Sequence, residues 1–239
     1  MERKTDALRE SIAEKTAARV KREIGDKKEG GWVTDRSTFA EYENHFQQDD
    51  LGQLDLRERL VDLSSLTVVD LMAPTNALVD LFGNLPQTNK LGISVSTLRY
   101  HRTPEQRAFD RKHHIYPVAG DLLKPDAWEK IDKRLKDRRV DLFVERAGSG
   151  IAFVPLNRDL YNIAARLLWQ RLNPNGGIIL AQTPSFSQFA ELDVDMYAWT
   201  RELNDRGVGA KYFGGGGFLN NGKILIQRFP YSPTSLPRL

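Results

Sequence analysis

An open α/β sheet, mostly parallel and closed by a reversed strand, is the fold that three features of the sequence predict. From Leu66 onward, short β-rich runs alternate with amphipathic helical stretches, and strands joined by helical crossovers lie parallel with helices on both faces. The last two runs are separated only by Gly214 to Lys223, too short for a helical crossover, so they pair as an antiparallel hairpin. Between the earlier runs, polar caps and prolines mark where helices begin. The expected architecture is a seven-stranded sheet with a reversed terminal hairpin strand and helices on both faces. A helical extension over 1–65 precedes the sheet domain of 66–229, and a tail of 230–239 follows it.

Taken in order, Leu8, Ile12, Val20 and Ile24 give the first stretch one narrow apolar stripe of a helix, and Gly25 to Asp35 reads as a linker. Thr38 and Glu41 form a capping-box pattern ahead of Phe39, Tyr42 and Phe46, which share a helical face. A further helix is expected over Leu54 to Leu63. The strands are expected at Leu66–Leu71, Leu91–Val95, Ile115–Val118, Val140–Val144, Ile178–Gln182, Ala210–Phe213 and Ile224–Phe229. Thr103-Pro104-Glu105-Gln106 combines an N-cap, a proline at the first helical position and a box-closing Gln, and Pro125-Asp126 opens the helix containing Trp128, Ile131 and Leu135.

The 239 residues, 40% of them apolar and 28% charged, suit one folded domain of the larger kind with an extension. The absence of cysteine removes disulfides, Cys-ligated metals and thiol nucleophiles. The first thirty residues mix seven acids with nine bases and hold no apolar segment, unlike a targeting peptide, and no run reaches the roughly 18 apolar residues of a membrane span. A cytoplasmic protein is expected. The 35 basic against 32 acidic residues leave a net charge of +3.

In open α/β sheets ligands gather at the carboxyl ends of the strands. There the first strand offers Asp70, followed by Leu71-Met72-Ala73-Pro74-Thr75-Asn76; the third is followed by Gly120-Asp121-Leu122; and the fourth ends at Glu145, before Gly148-Ser149-Gly150. Each alone reads as a turn or cap residue. Together, Leu66-Thr67-Val68-Val69-Asp70-Leu71, Ala119-Gly120-Asp121, Val140-Asp141-Leu142-Phe143 and the Leu172-Asn173-Pro174-Asn175-Gly176-Gly177 turn resemble the class I S-adenosylmethionine-dependent methyltransferases over about 66–229. The resemblance implies a Rossmann-like fold and S-adenosylmethionine as cofactor. Asp70 would then face its methionine or ribose part, Met72, Ala73 and Asn76 its amino-acid part, Ser94 the ribose, and Gly120, Asp121 and Leu122 the adenine, with Glu145 as the candidate catalytic base.

Met72, Pro74 and Asn76 stand where that family places motif I glycines, and Ser94 where it places a ribose-binding acid. Either the loop is rebuilt or the site is degenerate, so two functions follow: methyl transfer to an unnamed acceptor, or a catalytically degenerate methyltransferase-like module that binds RNA or a protein partner. A nicotinamide-binding domain ranks last, for want of Gly-x-Gly-x-x-Gly and a parallel sixth strand. Gly217 to Lys223 has Walker A spacing, but Ile224 replaces the metal-binding hydroxyl, and His113-His114 lacks further ligands at metal spacing. Basic clusters over Arg99–Lys112 and Lys130–Arg139 suggest nucleic-acid contact, although acids interleave the second as in a salt-bridged helix face. Trp32, Phe39, Tyr42 and Phe46 would either form a lid over the cleft or pack against the sheet, packing being the expectation.

Overall fold

The computed structural model describes residues 38–47, 56–71, 76–85, 89–96, 102–120, 122, 124–145, 158–183, 195–213 and 222–239. Seven strands, β1 (Leu66–Leu71), β2 (Lys90–Ser96), β3 (Ile115–Ala119), β4 (Leu142–Glu145), β5 (Ile178–Thr183), β6 (Gly209–Phe213) and β7 (Gly222–Gln227), form one sheet in the order β3-β2-β1-β4-β5-β7-β6. The pairs among β1 to β5 are parallel, while β7 runs antiparallel to both β5 and β6. This is the mostly parallel sheet with a reversed strand that the resemblance to class I methyltransferases implies.

β1 sits inside the sheet between β2 and β4, with all six residues buried. Both of its faces must therefore be covered. Leu66 and Val68 join one apolar cluster with Phe39, Leu56, Leu78 and Phe82, contributed by α1 (Phe39–Gln47), α2 (Leu56–Val61) and α3 (Asn76–Asn84). Val69 and Leu71 face the other cluster, with Trp128, Trp169 and Trp199 from α5 (Pro125–Leu135), α6 (Arg158–Arg171) and α7 (Met196–Asp205). Phe109 of α4 (Pro104–Lys112) packs against the first cluster. The helices thus change sides after β3. The switch point falls between β1 and β4.

The local signals act where the sequence places them. The Glu41 amide donates to Thr38 Oγ1 (3.2 Å) and the Thr38 amide to Glu41 Oε2 (3.3 Å), and Thr103 and Gln106 repeat the exchange at α4. At α5, Pro125 occupies the first turn, but Lys124 stands at the N-cap without a side-chain cap bond. Two strands differ from expectation by more than one residue at an end. β4 begins at Leu142, since Val140 makes an isolated bridge to Leu172 and Asp141 bends while its backbone still bonds to Thr67 and Ile178, and β7 covers 222–227 rather than 224–229. The stretches 1–24 and 25–35, Trp32 and the β6–β7 connection 214–221 lie outside the described residues. Phe39, Tyr42 and Phe46 pack into the core, as the second of the two expectations has it. The tail lies along the helices: Trp169 and Trp199 donate their indole N–H groups to the Pro233 and Pro237 carbonyls.

Asp141 ties three strands together at the amino edge. Its Oδ2 accepts from the Thr67 amide (2.8 Å), its Oδ1 from Asn173 Nδ2 (2.7 Å), and its own carbonyl accepts from the Ile178 amide (2.8 Å). Asn173 is held in turn by its Oδ1, which accepts from Asn175, and by Gly177, where a Cβ would lie 2.8 Å from the Asn173 backbone. Asp141→Ala leaves the buried Thr67 amide without an acceptor and is expected to cost about 2–4 kcal/mol of unfolding free energy, with Asp141→Asn costing less. Urea unfolding measures both; a loss under about 1 kcal/mol for the alanine variant would show that the tie is dispensable.

Candidate functional site

At the carboxyl end of β1, Asp70 pairs in register with Ser94 of β2 and Val144 of β4, and Leu71 with Glu145. Side chains alternate along a strand. Asp70 therefore shares the face of Leu66 and Val68, and Glu145 the opposite face with Phe143. Two carboxyl groups flank the switch point, one on each side of the sheet. Both are fully buried.

Asp70 Oδ2 accepts from the Tyr42 hydroxyl at 3.1 Å, while Asp70 Oδ1 and both Glu145 carboxyl oxygens are buried without a hydrogen-bond partner among the described residues. Burial pushes the Asp70 carboxyl well above the usual carboxylate range, with the Tyr42 hydrogen bond offsetting part of the rise. Burial does the same to Glu145, and the neighbouring Asp70 charge adds to it. Buried polar groups are nearly always paired. Three oxygens without a partner among the described residues, on two carboxyls flanking the switch point, could each accept from a donor or face a cation.

The position of Tyr42 is itself determined. α1 is fastened to α3 by the Phe39 amide donating to Asp80 Oδ2 (2.9 Å), and Arg57 of α2 bridges Glu43 (2.8 Å) and Asp80 (2.9 Å). The N-terminal helices thereby carry the phenol to a carboxyl far along the chain. No local pattern signals that contact; the only hint is that Tyr42 shares the apolar face of Phe39 and Phe46.

The other expected site residues are distributed as follows. Ser94 is buried beside Asp70 on the same sheet face. Gly120 ends β3 beside the start of α5, where a Cβ would come within 2.8 Å of the Ala127 Cβ, so close helix packing alone demands glycine there. Leu122 is a core residue whose carbonyl accepts from Trp128 Nε1 (2.8 Å). Asn76 opens α3. Met72, Ala73, Asp121 and the Gly148–Gly150 segment lie outside the described residues.

The same edge holds residues that the sequence did not single out. Gln182 and Thr183 end β5 opposite Lys223 and Gly222 of β7, all three side chains being buried. Burial pushes the nearby Tyr212 phenol up to about 12, and Tyr197 packs edge-on against its ring at 4.9 Å between centroids. A buried lysine in a strand would have been the signal, but Lys223 reads from sequence as the end of a hairpin turn. Among the described residues no group of three or more His, Asp or Glu side chains is arranged to hold a metal, and no helix is long and apolar enough to cross a membrane.

Because the folded chain keeps protons on Asp70 and Glu145 at pH values where the unfolded chain has released them, its unfolding free energy falls as pH rises from the ordinary carboxylate range through the raised folded values. Glu145→Gln removes one of these titrations. Its stability relative to the wild type is therefore expected to be greater at pH 8 than at pH 5 in urea unfolding, and an equal difference at both pH values contradicts uncompensated burial.

No protein-family model and no curated protein matches the chain. Among solved structures, it is similar to the O-methyltransferase from Bacillus cereus in complex with SAH, at 9% identity, covering 92% of this chain and 90% of that one with a TM-score of 0.47. It is also similar to the precorrin-6y C5,15-methyltransferase from Geobacter metallireducens, at 12% identity over 85% and 96% of the two chains with a TM-score of 0.42. A third likeness, to the CurJ carbon methyltransferase, has 12% identity and a TM-score of 0.46 over 72% of this chain; the chain spans 50% of that protein's length. Strand order and strand polarity, rather than these likenesses, define the fold.

Proposed function

We propose that the chain is an S-adenosylmethionine-dependent methyltransferase whose cofactor meets the switch point through its positively charged end. The observation that supports this reading is the pair of buried carboxyls, three of whose four oxygens lack a partner among the described residues. S-adenosylmethionine, when bound, supplies a methyl group on a sulfonium and carries an ammonium as well. An opposite charge at short range favours the ionised carboxylate and offsets its desolvation. Asp70, steadied by Tyr42, receives the methionine part. Ser94 meets the ribose, the backbone over Met72, Ala73 and Asn76 approaches the amino-acid part, and Gly120, Asp121 and Leu122 frame the adenine.

Glu145 takes the acceptor's proton. A carboxylate held in a buried site is a stronger base than an exposed one, and it becomes available once a neighbouring cation lowers the cost of ionising it. Positioning of the acceptor in line with the methyl group supplies most of the remaining rate. The glycine positions filled by Met72 and Pro74 support the second reading, a binding module without turnover. In that case the cofactor does not bind.

Thermal unfolding with S-adenosylhomocysteine separates the two. Ligand at a hundred times its Kd adds about 2.7 kcal/mol, a rise of roughly 5–10 °C for a chain of this size. No rise at millimolar ligand overturns the methyltransferase reading. Affinity for S-adenosylmethionine is further expected to increase from pH 6 to pH 8, since binding favours ionised carboxyls, and Asp70→Asn should weaken it at least tenfold at pH 8. Unchanged affinity in that variant would place the cationic end elsewhere.

A further inference from the structure

The opposite, amino edge of the sheet carries a second feature that methyl transfer does not use. A cleft of about 450 Å³ opens where β2 and β3 begin and α5 ends. Its walls hold Lys133, Arg134, Lys136 and Arg138 against the single carboxylate of Asp137, while Lys90, which also lines it, turns its ammonium away to the Phe82 and Leu85 carbonyls (2.7 Å each). In the sequence this stretch reads as a helix face neutralised by its own acids. The structure engages two of those acids elsewhere and leaves Asp137 at the cleft: Asp126 pairs with Lys130 (3.1 Å), and Asp132 is held by both Arg171 Nε and Nη2 (2.6 Å each). Lys133 and Lys136 remain exposed at the rim.

Cations near a helix C-terminus complement its dipole, but one or two suffice for that. Here four are gathered on the last turn of α5 and the turn that follows it, Lys133, Arg134, Lys136 and Arg138. After burial, the charges of Lys90, Lys112 and His114 are what hold His113 below its usual range. Like charges have been gathered, not dispersed.

The backbone bears a cost at the same place. Among the described residues, His114 (φ 55°) and Lys136 (φ 54°) are the non-glycine residues with left-handed φ, and both line this cleft. Lys136, with ψ −116° and the Arg138 amide donating to the Leu135 carbonyl at 3.0 Å, takes the first central position of a type II′ turn, where glycine is favoured. Strain of this kind collects at binding sites. On the cleft wall Arg134 lies over the half-buried Tyr116 ring, 4.6 Å from its centroid, forming a flat platform of the sort on which bases stack.

We infer that this cleft and its cationic rim bind the phosphodiester backbone of a single-stranded nucleic acid. The spread of charge over Lys133, Arg134, Lys136 and Arg138 exceeds what one small phosphate engages, and the aromatic platform favours a nucleic acid over an acidic polypeptide. The cleft lies about a strand's length, roughly 15–20 Å, from the carboxyl edge, so this binding is independent of the methyltransferase reading.

Fluorescence anisotropy with a labelled 12-nucleotide oligouridylate tests it on the full chain. The Lys133→Glu/Lys136→Glu variant should bind at least tenfold more weakly than the wild type at 50 mM salt. Its plot of log affinity against log salt should be shallower by about 1.4, at roughly 0.7 for each phosphate that is no longer neutralised. The Arg59→Glu/Arg201→Glu variant has the same net charge with cations removed elsewhere, and should bind as the wild type does. Equal loss in both variants, no wild-type binding at 50 mM salt, or displacement of the RNA by polyglutamate at equal charge concentration would overturn the proposal, the last in favour of an acidic protein partner. Lys136→Gly should retain the wild-type melting temperature or exceed it while binding more weakly, and retained affinity in that variant would remove the turn from the site.

Discussion

The burial of β1 on both faces is the constraint on which the rest of the molecule depends. A central strand with no exposed residue needs apolar cover above and below, so the chain must place α1 to α4 on one side and α5 to α7 on the other. Changing sides sets the switch point at the carboxyl ends of β1 and β4. The cost is visible in the residues there. Asp70 and Glu145 are fully buried with three carboxyl oxygens lacking a hydrogen-bond partner among the described residues, and both are driven toward the protonated form.

Much of this architecture is legible in local features of the sequence. The Thr38 and Thr103 boxes and Pro104 act within four residues of chain, so their outcome does not depend on tertiary context. β1 begins and ends where its apolar run does, and the short final connection requires the reversed β7. Expectation and structure part where distant residues decide. Val140 looks like strand but pairs with Leu172, and the Asp141 side chain is claimed by the Thr67 amide and Asn173.

The candidate site is legible in its location and less so in its contacts. Asp70 and Glu145 are at strand tips by simple counting, but the Tyr42 contact depends on how α1 is fastened through Asp80 and Arg57. Gly120 shows the reverse case, a residue that a motif explains by ligand approach and that Ala127 packing explains equally well. The basic stretch around Lys133 is readable only as composition. Which acids neutralise which bases is a three-dimensional matter, and Arg171 of α6 decides it by claiming Asp132. The two edges of the sheet therefore differ in sign, with acidic groups buried at the carboxyl end and cations exposed at the amino end.

The central claim, that two buried carboxyls biased toward the protonated form stand at the switch point where a cation would ionise them, is tested most directly by infrared spectroscopy across a pH titration. The free protein should show the carbonyl stretching band of protonated buried carboxyls, reduced in Asp70→Asn and in Glu145→Gln, and it should lose intensity when S-adenosylmethionine is added. Absence of that band from the free wild-type protein, or a band indifferent to the ligand and to both substitutions, would contradict the account.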